Sequence, residues 1–146
     1  MERPWGWVVL AMAASSLSGC GSDTAETGKP SGDSLIVGTW FQTNAEEQTD
    51  DGPWTENPKD QCRKDNVEEY DRAGGWVWHD GANRCGTGTG TASGTWKLAP
   101  SNATVTFTYV GTPGEFSSTV DTLTATKMVL TFRSGTRTQR RDTYVK

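Results

Sequence analysis

Strict alternation of apolar and hydroxyl side chains is the feature that most limits the folds open to this chain. Across residues 103–110, valine, phenylalanine and tyrosine alternate with threonines. Successive side chains of a β-strand point to opposite faces of the sheet, so this period buries one face and leaves the other in water. Residues 128–133 repeat the pattern. The side chains that we expect to face an apolar interior are Val105, Phe107, Tyr109, Met128, Leu130 and Phe132.

Further short segments between turn signals complete an all-β prediction. No segment after residue 20 carries the apolar stripe of a helix, whereas strand-like runs recur. We predict these further strands within residues 35–43, 66–71, 75–79, 94–98, 115–123 and 136–145. At about eight strands, an antiparallel up-and-down sheet can close into a barrel around its own side chains or around one small ligand.

One predicted connection between strands is much longer than a turn. Residues 44–61 are polar, and Trp54 stands among them between Pro53 and Pro58. Connections of this length are usually functional or disordered. We therefore predict a loop over 44–61 that carries recognition, with Trp54 as a candidate lid residue.

The first twenty residues have the form of a bacterial export signal. A short start with Arg3 precedes an apolar run of about eleven residues, which is too short for a membrane-spanning helix of about 20. The segment 17–20, Leu-Ser-Gly-Cys, resembles the bacterial lipobox. That resemblance implies a lipid-bearing Cys20 after cleavage, and Gly21 in place of an aspartate implies sorting to the outer membrane. The alternative is an ordinary secretion signal with a chance cysteine.

We expect three segments in the chain. These are a signal peptide over residues 1–19, the lipidated cysteine with a flexible tether over 20–33, and a barrel domain over 34–146. Gly, Ser, Thr, charged residues and Pro dominate the tether, which is the composition of a flexible linker. Acyl chains on Cys20 would attach the protein to the membrane without a span.

Two cysteines remain once Cys20 is assigned to the lipid. In an oxidising compartment we expect Cys62 and Cys85 to form a disulfide that closes a loop of about 24 residues. The alternative is a metal site that adds His79 and an aspartate, Asp71 or Asp80. A Cys-x-x-Cys motif and a second histidine are both missing from the sequence, which argues against zinc.

The tripeptide Gly-Thr-Trp occurs twice, ending at Trp40 and Trp96. With the segments around them, these motifs resemble the bacterial lipocalin-like domain, a family of small lipoproteins that begin with a Gly-Thr-Trp strand. The similar segments are residues 35–40, 62–66, 85, 94–98 and 123–130. The resemblance implies a lipocalin-like barrel and structural roles for Trp40 and Trp96, such as closing one barrel end. Stacking on a ligand is the alternative for both.

Two further tryptophans share one face of a predicted strand. If Trp76 and Trp78 point inward they line a cavity, and if they point outward they form an aromatic patch for partners or sugars. We expect the inward orientation. The candidate ligand-binding residues are Trp54, Trp76, Trp78, Phe107 and Tyr109.

No catalytic constellation is evident. The single histidine, His79, stands beside Asp80, and neighbours on a strand point to opposite faces. We expect no enzyme activity, metal or cofactor, and no nucleic-acid partner. The first hypothesis is non-catalytic binding of a small ligand. The alternative is a protein-partner or envelope-structural module with a filled barrel, which the modest 33% content of hydrophobic residues also allows.

The net charge of the chain is -4, but acidic and basic residues are unevenly distributed along it. Residues 44–71 carry ten acidic side chains against three basic ones, whereas residues 72–146 carry nine basic side chains against four acidic ones. Two interpretations stay open: a charged face for an ionic partner, or a solvated loop beside a solvated sheet.

Overall fold

A computed structural model describes residues 31–87, 90–133 and 135–146. The predicted signal peptide, Cys20 and most of the tether lie outside these residues. The described part holds one antiparallel sheet whose first long strand also pairs with its last, which closes a barrel of eight strands. The strands are β1 (Gly38–Thr49), β2 (Thr55–Glu56), β3 (Val67–Tyr70), β4 (Gly75–His79), β5 (Thr91–Leu98), β6 (Thr104–Tyr109), β7 (Thr112–Leu123), β8 (Lys127–Arg133) and β9 (Thr138–Val145).

The barrel confirms the predicted all-β, up-and-down, lipocalin-like fold. Around the closed sheet the order is β1, β3, β4, β5, β6, β7, β8 and β9, and the short β2 extends the same edge of β1 as β3 does. Each of these eight strands thus pairs with the next of the eight along the chain, and tight turns join several of the pairs. At the β3–β4 turn, for example, Asp71 Oδ1 accepts hydrogen bonds of 2.8 Å from the backbone N–H groups of Ala73 and Gly75.

One end of the barrel, here called the closed end, is sealed by a short helix, α1 (Gly32–Ile36). Trp40 is fully buried there, and its Nε1 donates a 2.6 Å hydrogen bond to the carbonyl of Ile36. Lys146 Nζ lies 4.6 Å from the centre of the Trp40 ring. The same ammonium donates to the carbonyls of Leu35 and Val37, both at 2.8 Å. This arrangement fixes the helix, the first strand and Lys146 to one another.

The hydrophobic core extends from the closed end into the barrel. Leu98, Val105 and Met128 are buried beside Trp96, and the Tyr70 ring packs edge-on against Trp96 at 5.9 Å. The Nε1 of Trp96 donates to the carbonyl of Asp71 at 3.1 Å. Trp40 and Trp96 therefore both pack at the closed end with fixed hydrogen-bond partners.

The opposite end, here called the open end, is formed by the longer connections. The β1–β3 connection includes β2 and a 3-10 helix over Pro58–Arg63, and the β4–β5 connection spans residues 80–90. The Cys62–Cys85 disulfide joins these two connections, with a Cα–Cα distance of 5.2 Å. The predicted disulfide is confirmed. Because the two sulfur atoms are bonded to each other, the alternative metal site that used them is wrong.

The predicted loop over 44–61 and the predicted start of the first strand need correction. Residues 44–49 continue β1 and pair with β9, from Asn44 opposite Thr143 to Thr49 opposite Thr138. Apart from the buried Ala45, this stretch is polar on both faces, so it lacks the alternation that marks a strand. A cross-strand ion pair stabilises it instead, because the Arg141 guanidinium contacts Glu46 at 2.8 Å. Residues 32–36 form α1 where the tether was expected to end and a strand to begin.

Candidate ligand cavity

A partly enclosed cavity of about 350 Å³ occupies the barrel interior toward the open end. This volume lies at the small end of the range of about 300–1,000 Å³ that is typical of ligand sites. Its lining combines aromatic, aliphatic and charged side chains: Gln42, Arg63, Glu68, Trp76, Trp78, Ala92, Phe107, Tyr109, Phe116, Ser118, Leu130, Phe132, Arg140, Asp142 and Tyr144.

The space exists because β5 presents small inward side chains. Ala92 lines the cavity, and Gly94 follows on the same face of the strand. A Cβ atom on Gly94 would lie 1.7 Å from the carbonyl oxygen of Thr108 on the neighbouring strand, so the close approach of β5 and β6 requires glycine. In a ring of eight strands, β5 stands four places from β9 and thus lies across the interior from Arg140 and Asp142. The volume that β5 does not fill remains open in front of that pair.

Four rings form a continuous aromatic wall on β4, β6 and β7. The Phe107 and Phe116 rings are stacked with centroids 4.9 Å apart and planes at 15°. Tyr109 stacks on Phe116 at 4.9 Å and 17°. Trp76 meets Tyr109 edge-on at 5.2 Å. The rings pack in the offset and edge-to-face arrangements that aromatic side chains prefer, which fixes them as a preformed surface.

Glu68, on the strand next to β4, is the centre of a buried hydrogen-bond network that forms a polar wall beside the aromatic one. Its carboxylate accepts from Trp76 Nε1 at 3.0 Å, from the Tyr144 hydroxyl at 2.7 Å, and from the Tyr70 hydroxyl. Burial, reinforced by the negative charge of Glu68, raises the pKa of Tyr70 and of Tyr144 well above the ordinary range for a phenol. Both phenols therefore stay protonated and serve as donors to Glu68.

A buried ion pair completes this polar wall. Arg140 Nε and Nη2 donate to the two carboxylate oxygens of Asp142, each at 2.8 Å, and both side chains are less than one-tenth exposed. Burial raises the pKa of Asp142 to about 6, although the Arg140 charge opposes the shift. The Arg140 guanidinium also lies 5.3 Å from the centre of the Phe132 ring. The bidentate geometry and the ring hold the guanidinium in one orientation.

Gln42 lines the cavity but, unlike Glu68 and Asp142, has a polar side-chain atom without a hydrogen-bond partner in the part of the chain that the structure describes. Its side chain is 2% exposed, yet its Nε2 has no hydrogen-bond partner among the described residues. A buried donor that lacks a partner costs about 1–3 kcal/mol. The neighbouring acceptors are occupied, since Glu68 receives three donors and Asp142 receives Arg140. A side chain that lines the cavity thus carries an amide donor without an acceptor of its own among the described residues.

The structure brings four of the five candidate ligand-binding residues together. Trp76, Trp78, Phe107 and Tyr109 all line the cavity, and the inward orientation expected for the two tryptophans is observed. Trp54 is elsewhere: it packs on the outer barrel face, where the Arg141 guanidinium lies 4.3 Å from its ring centre. A lid role does not fit that position, because Arg141 alternates with the cavity-lining Arg140 and Asp142 and so lies on the outer face.

The apolar interior predicted from the alternation divides into two parts. Val105 and Met128 are fully buried in the core, whereas Leu130 and Phe132 line the cavity with Phe107 and Tyr109. The charged lining was missed by sequence reasoning. A signal did exist, because the period of two places 140, 142 and 144 of β9 on one face.

The remaining candidates lie outside the cavity. His79 Nε2 stands 3.9 Å from Glu69 Oε1, and both side chains are well exposed. Within the part of the chain that the structure describes, no three His, Cys, Asp or Glu side chains are grouped to hold a metal ion. The uneven charge of the sequence is partly paired across the barrel seam, where Asp50 contacts Arg137 as Glu46 contacts Arg141.

The closed eight-stranded barrel has a cavity at one end, and at the other end a short helix seals it above a buried tryptophan. This architecture defines a lipocalin-like protein. The chain belongs to the lipocalin-like domain family, whose family model matches residues 36–130. A crystal structure of a lipocalin-like protein from Bacteroides uniformis is also similar, with a TM-score of 0.49 and 15% sequence identity, covering 76% of this chain and 97% of that one. A search of curated proteins returns no match. No described helix has the length and apolar character to cross a membrane.

Proposed function

We propose that this protein is a membrane-anchored extracytoplasmic lipoprotein whose barrel binds a small ligand without chemical conversion. The observation that best supports ligand binding is the cavity of about 350 Å³ with its preformed aromatic wall. A filled barrel would have left the sheet or its connections as the only surfaces for function. The space in front of Ala92 favours the ligand-binding hypothesis over the structural one.

The polar groups of the cavity support binding better than catalysis. Glu68 is held by three donors, and Asp142 is held by both arms of Arg140. A general base needs a lone pair that can reach a substrate proton. Both carboxylates instead have their oxygens engaged by protein donors, which suits them to orienting a ligand and fixing the wall.

The membrane anchor rests on the lipobox-like segment that ends at Cys20. We expect the Cys20→Ala variant to lose the lipid and to leave the membrane fraction, because one lipid-bearing cysteine is the whole proposed anchor. Fractionation with metabolic fatty-acid labelling measures both effects. A variant that still carries label and stays with the membranes would contradict the anchor.

Cavity binding can be tested by filling the space with one side chain. Binding of quinoline, naphthalene and dodecanoate to the purified protein is followed by the fluorescence of the lining tryptophans and by calorimetry. We expect Ala92→Phe to abolish binding of every probe that the unchanged protein binds, because the ring would occupy the space beside β5. Ser93→Phe is the matched control, since Ser93 is the next residue and its exposed side chain points to the outer face.

Unchanged binding in Ala92→Phe, with the variant folded, would contradict a cavity site. So would binding lost equally in both variants. Failure of all three probes to bind the unchanged protein would also count against the proposed function.

A further inference from the structure

The shape of the cavity restricts the kind of molecule that it can hold. Its volume of about 350 Å³ equals about a dozen water molecules at roughly 30 Å³ each, which is the space of a small ring system. Phe107, Phe116 and Tyr109 present nearly parallel rings along one wall. Such a wall makes its best contacts with a flat, unsaturated ligand, which can lie offset or edge-on against the rings.

The charges of the cavity restrict the ligand further. Two cationic side chains, Arg63 and Arg140, and two anionic ones, Glu68 and Asp142, line it, so the formal charges cancel. Arg140 and Asp142 are bonded to each other, and Glu68 is covered by three donors. Arg63 also has an interaction partner within the protein. A ligand with a net charge would enter a partly buried site in which its counter-charge is already engaged, which is costly.

Gln42 adds a requirement for a hydrogen-bond acceptor on the ligand. Its Nε2 is a buried donor without a partner among the described residues, on a strand that lies across the ring of eight from β6. A molecule lying against Phe107 and Tyr109 of β6 would turn its opposite edge toward Gln42. An acceptor on that edge would remove the cost of the unpaired donor.

We propose that the ligand is an uncharged, flat aromatic or heteroaromatic molecule that accepts a hydrogen bond from Gln42 Nε2 through a ring nitrogen or carbonyl oxygen. The proposal rests on the proposed function, because it names the ligand class of the same cavity. Its basis is the juxtaposition of the aromatic wall, the balanced charges and the unpaired amide donor.

Quinoline and naphthalene test this proposal directly, since they share one shape and differ by a ring nitrogen. We expect the protein to bind quinoline about tenfold more tightly, the effect of one buried hydrogen bond of roughly 1.4 kcal/mol. In Gln42→Leu the two affinities should become equal.

Gln48→Leu is the matched control on the same strand. Gln48 Nε2 donates to the Gly52 carbonyl at 2.6 Å and does not line the cavity, so the quinoline preference should persist in this variant. Thermal unfolding of each variant establishes that it is folded. The comparison of the two probes on the unchanged protein needs no variant at all.

Several outcomes would overturn the proposal while the proposed function stands. Naphthalene binding as tightly as quinoline is one such outcome, and dodecanoate binding best, with its binding lost in Ala92→Phe, is another. A quinoline preference that survives Gln42→Leu would likewise remove Gln42 from the recognition. If none of the three probes binds, the proposed function fails and this inference fails with it.

Discussion

The closed and open ends of this barrel are built on opposite rules. At the closed end Trp40 is fully buried, its indole N–H has a carbonyl partner, and Lys146 covers its ring. At the open end lie the described buried polar atoms that have no partner: Gln42 Nε2, Asp65 Oδ1, Asn66 Nδ2 and Asp80 Oδ1. Each such atom costs about 1–3 kcal/mol. The difference indicates that stability is concentrated at one end, which lets the other keep polar groups available.

The largest effect should come from the closed end. We expect Trp40→Ala to destabilise the fold by about 3–5 kcal/mol, because it removes a fully buried indole that α1, β1 and Lys146 all contact. Urea unfolding measures the change. Trp54→Ala is the control, since Trp54 packs only on the outer face, and it should cost much less. Equal losses in the two variants would contradict the division between the ends.

The disulfide should account for much of the stability of the open end. Replacing Cys62 and Cys85 together by serine removes a cross-link between residues 23 positions apart. Because the unfolded chain is then less restrained, we expect the free energy of unfolding to fall by about 3 kcal/mol. We expect the barrel to remain folded and the closed end to keep its buried Trp40. Thiol titration of the denatured, unreduced protein should find neither thiol free. Two free thiols, or an unchanged unfolding midpoint in the double variant, would contradict this account.

The buried ion pair should make stability depend on pH. Burial raises the pKa of Asp142 from 3.8 to about 6, although the charge of Arg140 opposes this shift. The negative charge of Glu68 also raises this pKa, and the positive charge of Arg63 lowers it. Between about pH 4 and 6 the folded state holds a proton that the unfolded chain has released, so the contribution of Asp142 falls as pH rises through this window. At about 1.4 kcal/mol per pH unit, the loss is at most about 3 kcal/mol.

Asp142→Asn removes this titration, so its stability relative to the unchanged protein should rise between pH 4 and 6. Asp121→Asn is the control, because Asp121 lies exposed on the outer face and accepts a hydrogen bond from Thr131. A pH profile that is the same for the Asp142 variant and the unchanged protein would show that burial does not perturb this carboxyl.

The smallest effect should have the opposite sign. We expect Gln42→Leu to raise the free energy of unfolding by about 1 kcal/mol, because it removes an unpaired buried donor and adds apolar contact. At the closed end, removal of a polar contact should only destabilise. Differential scanning calorimetry measures the gain. A loss of stability in Gln42→Leu would mean that the amide has a structural role in the barrel.

The alternation of side chains predicted the parts of the fold in which one face is apolar. Strands β6 and β8 lie within a residue of the ranges expected from the sequence, at Thr104–Tyr109 and Lys127–Arg133. The inward pair Trp76 and Trp78 follows from the same rule. These positions were predictable because burial and period agree locally.

The polar half of the site was not predictable in the same way. Glu68 and Asp142 are buried because Tyr144 and Arg140 reach them, and nothing in the local sequence around Glu68 indicates a tyrosine 76 residues away. Residues 44–49 form a strand because β9 offers a partner, although all of them except Ala45 are polar. A rule that places apolar side chains inside and polar ones outside therefore fails where long-range pairing decides.

A crystal structure of the protein with bound quinoline would test the central account most directly. The account predicts the ring in the barrel interior, against Phe107 and Phe116, with its nitrogen about 3 Å from Gln42 Nε2 and the closed end unchanged. A barrel whose interior is filled by its own side chains, with quinoline absent or bound only on the outer face, would contradict it.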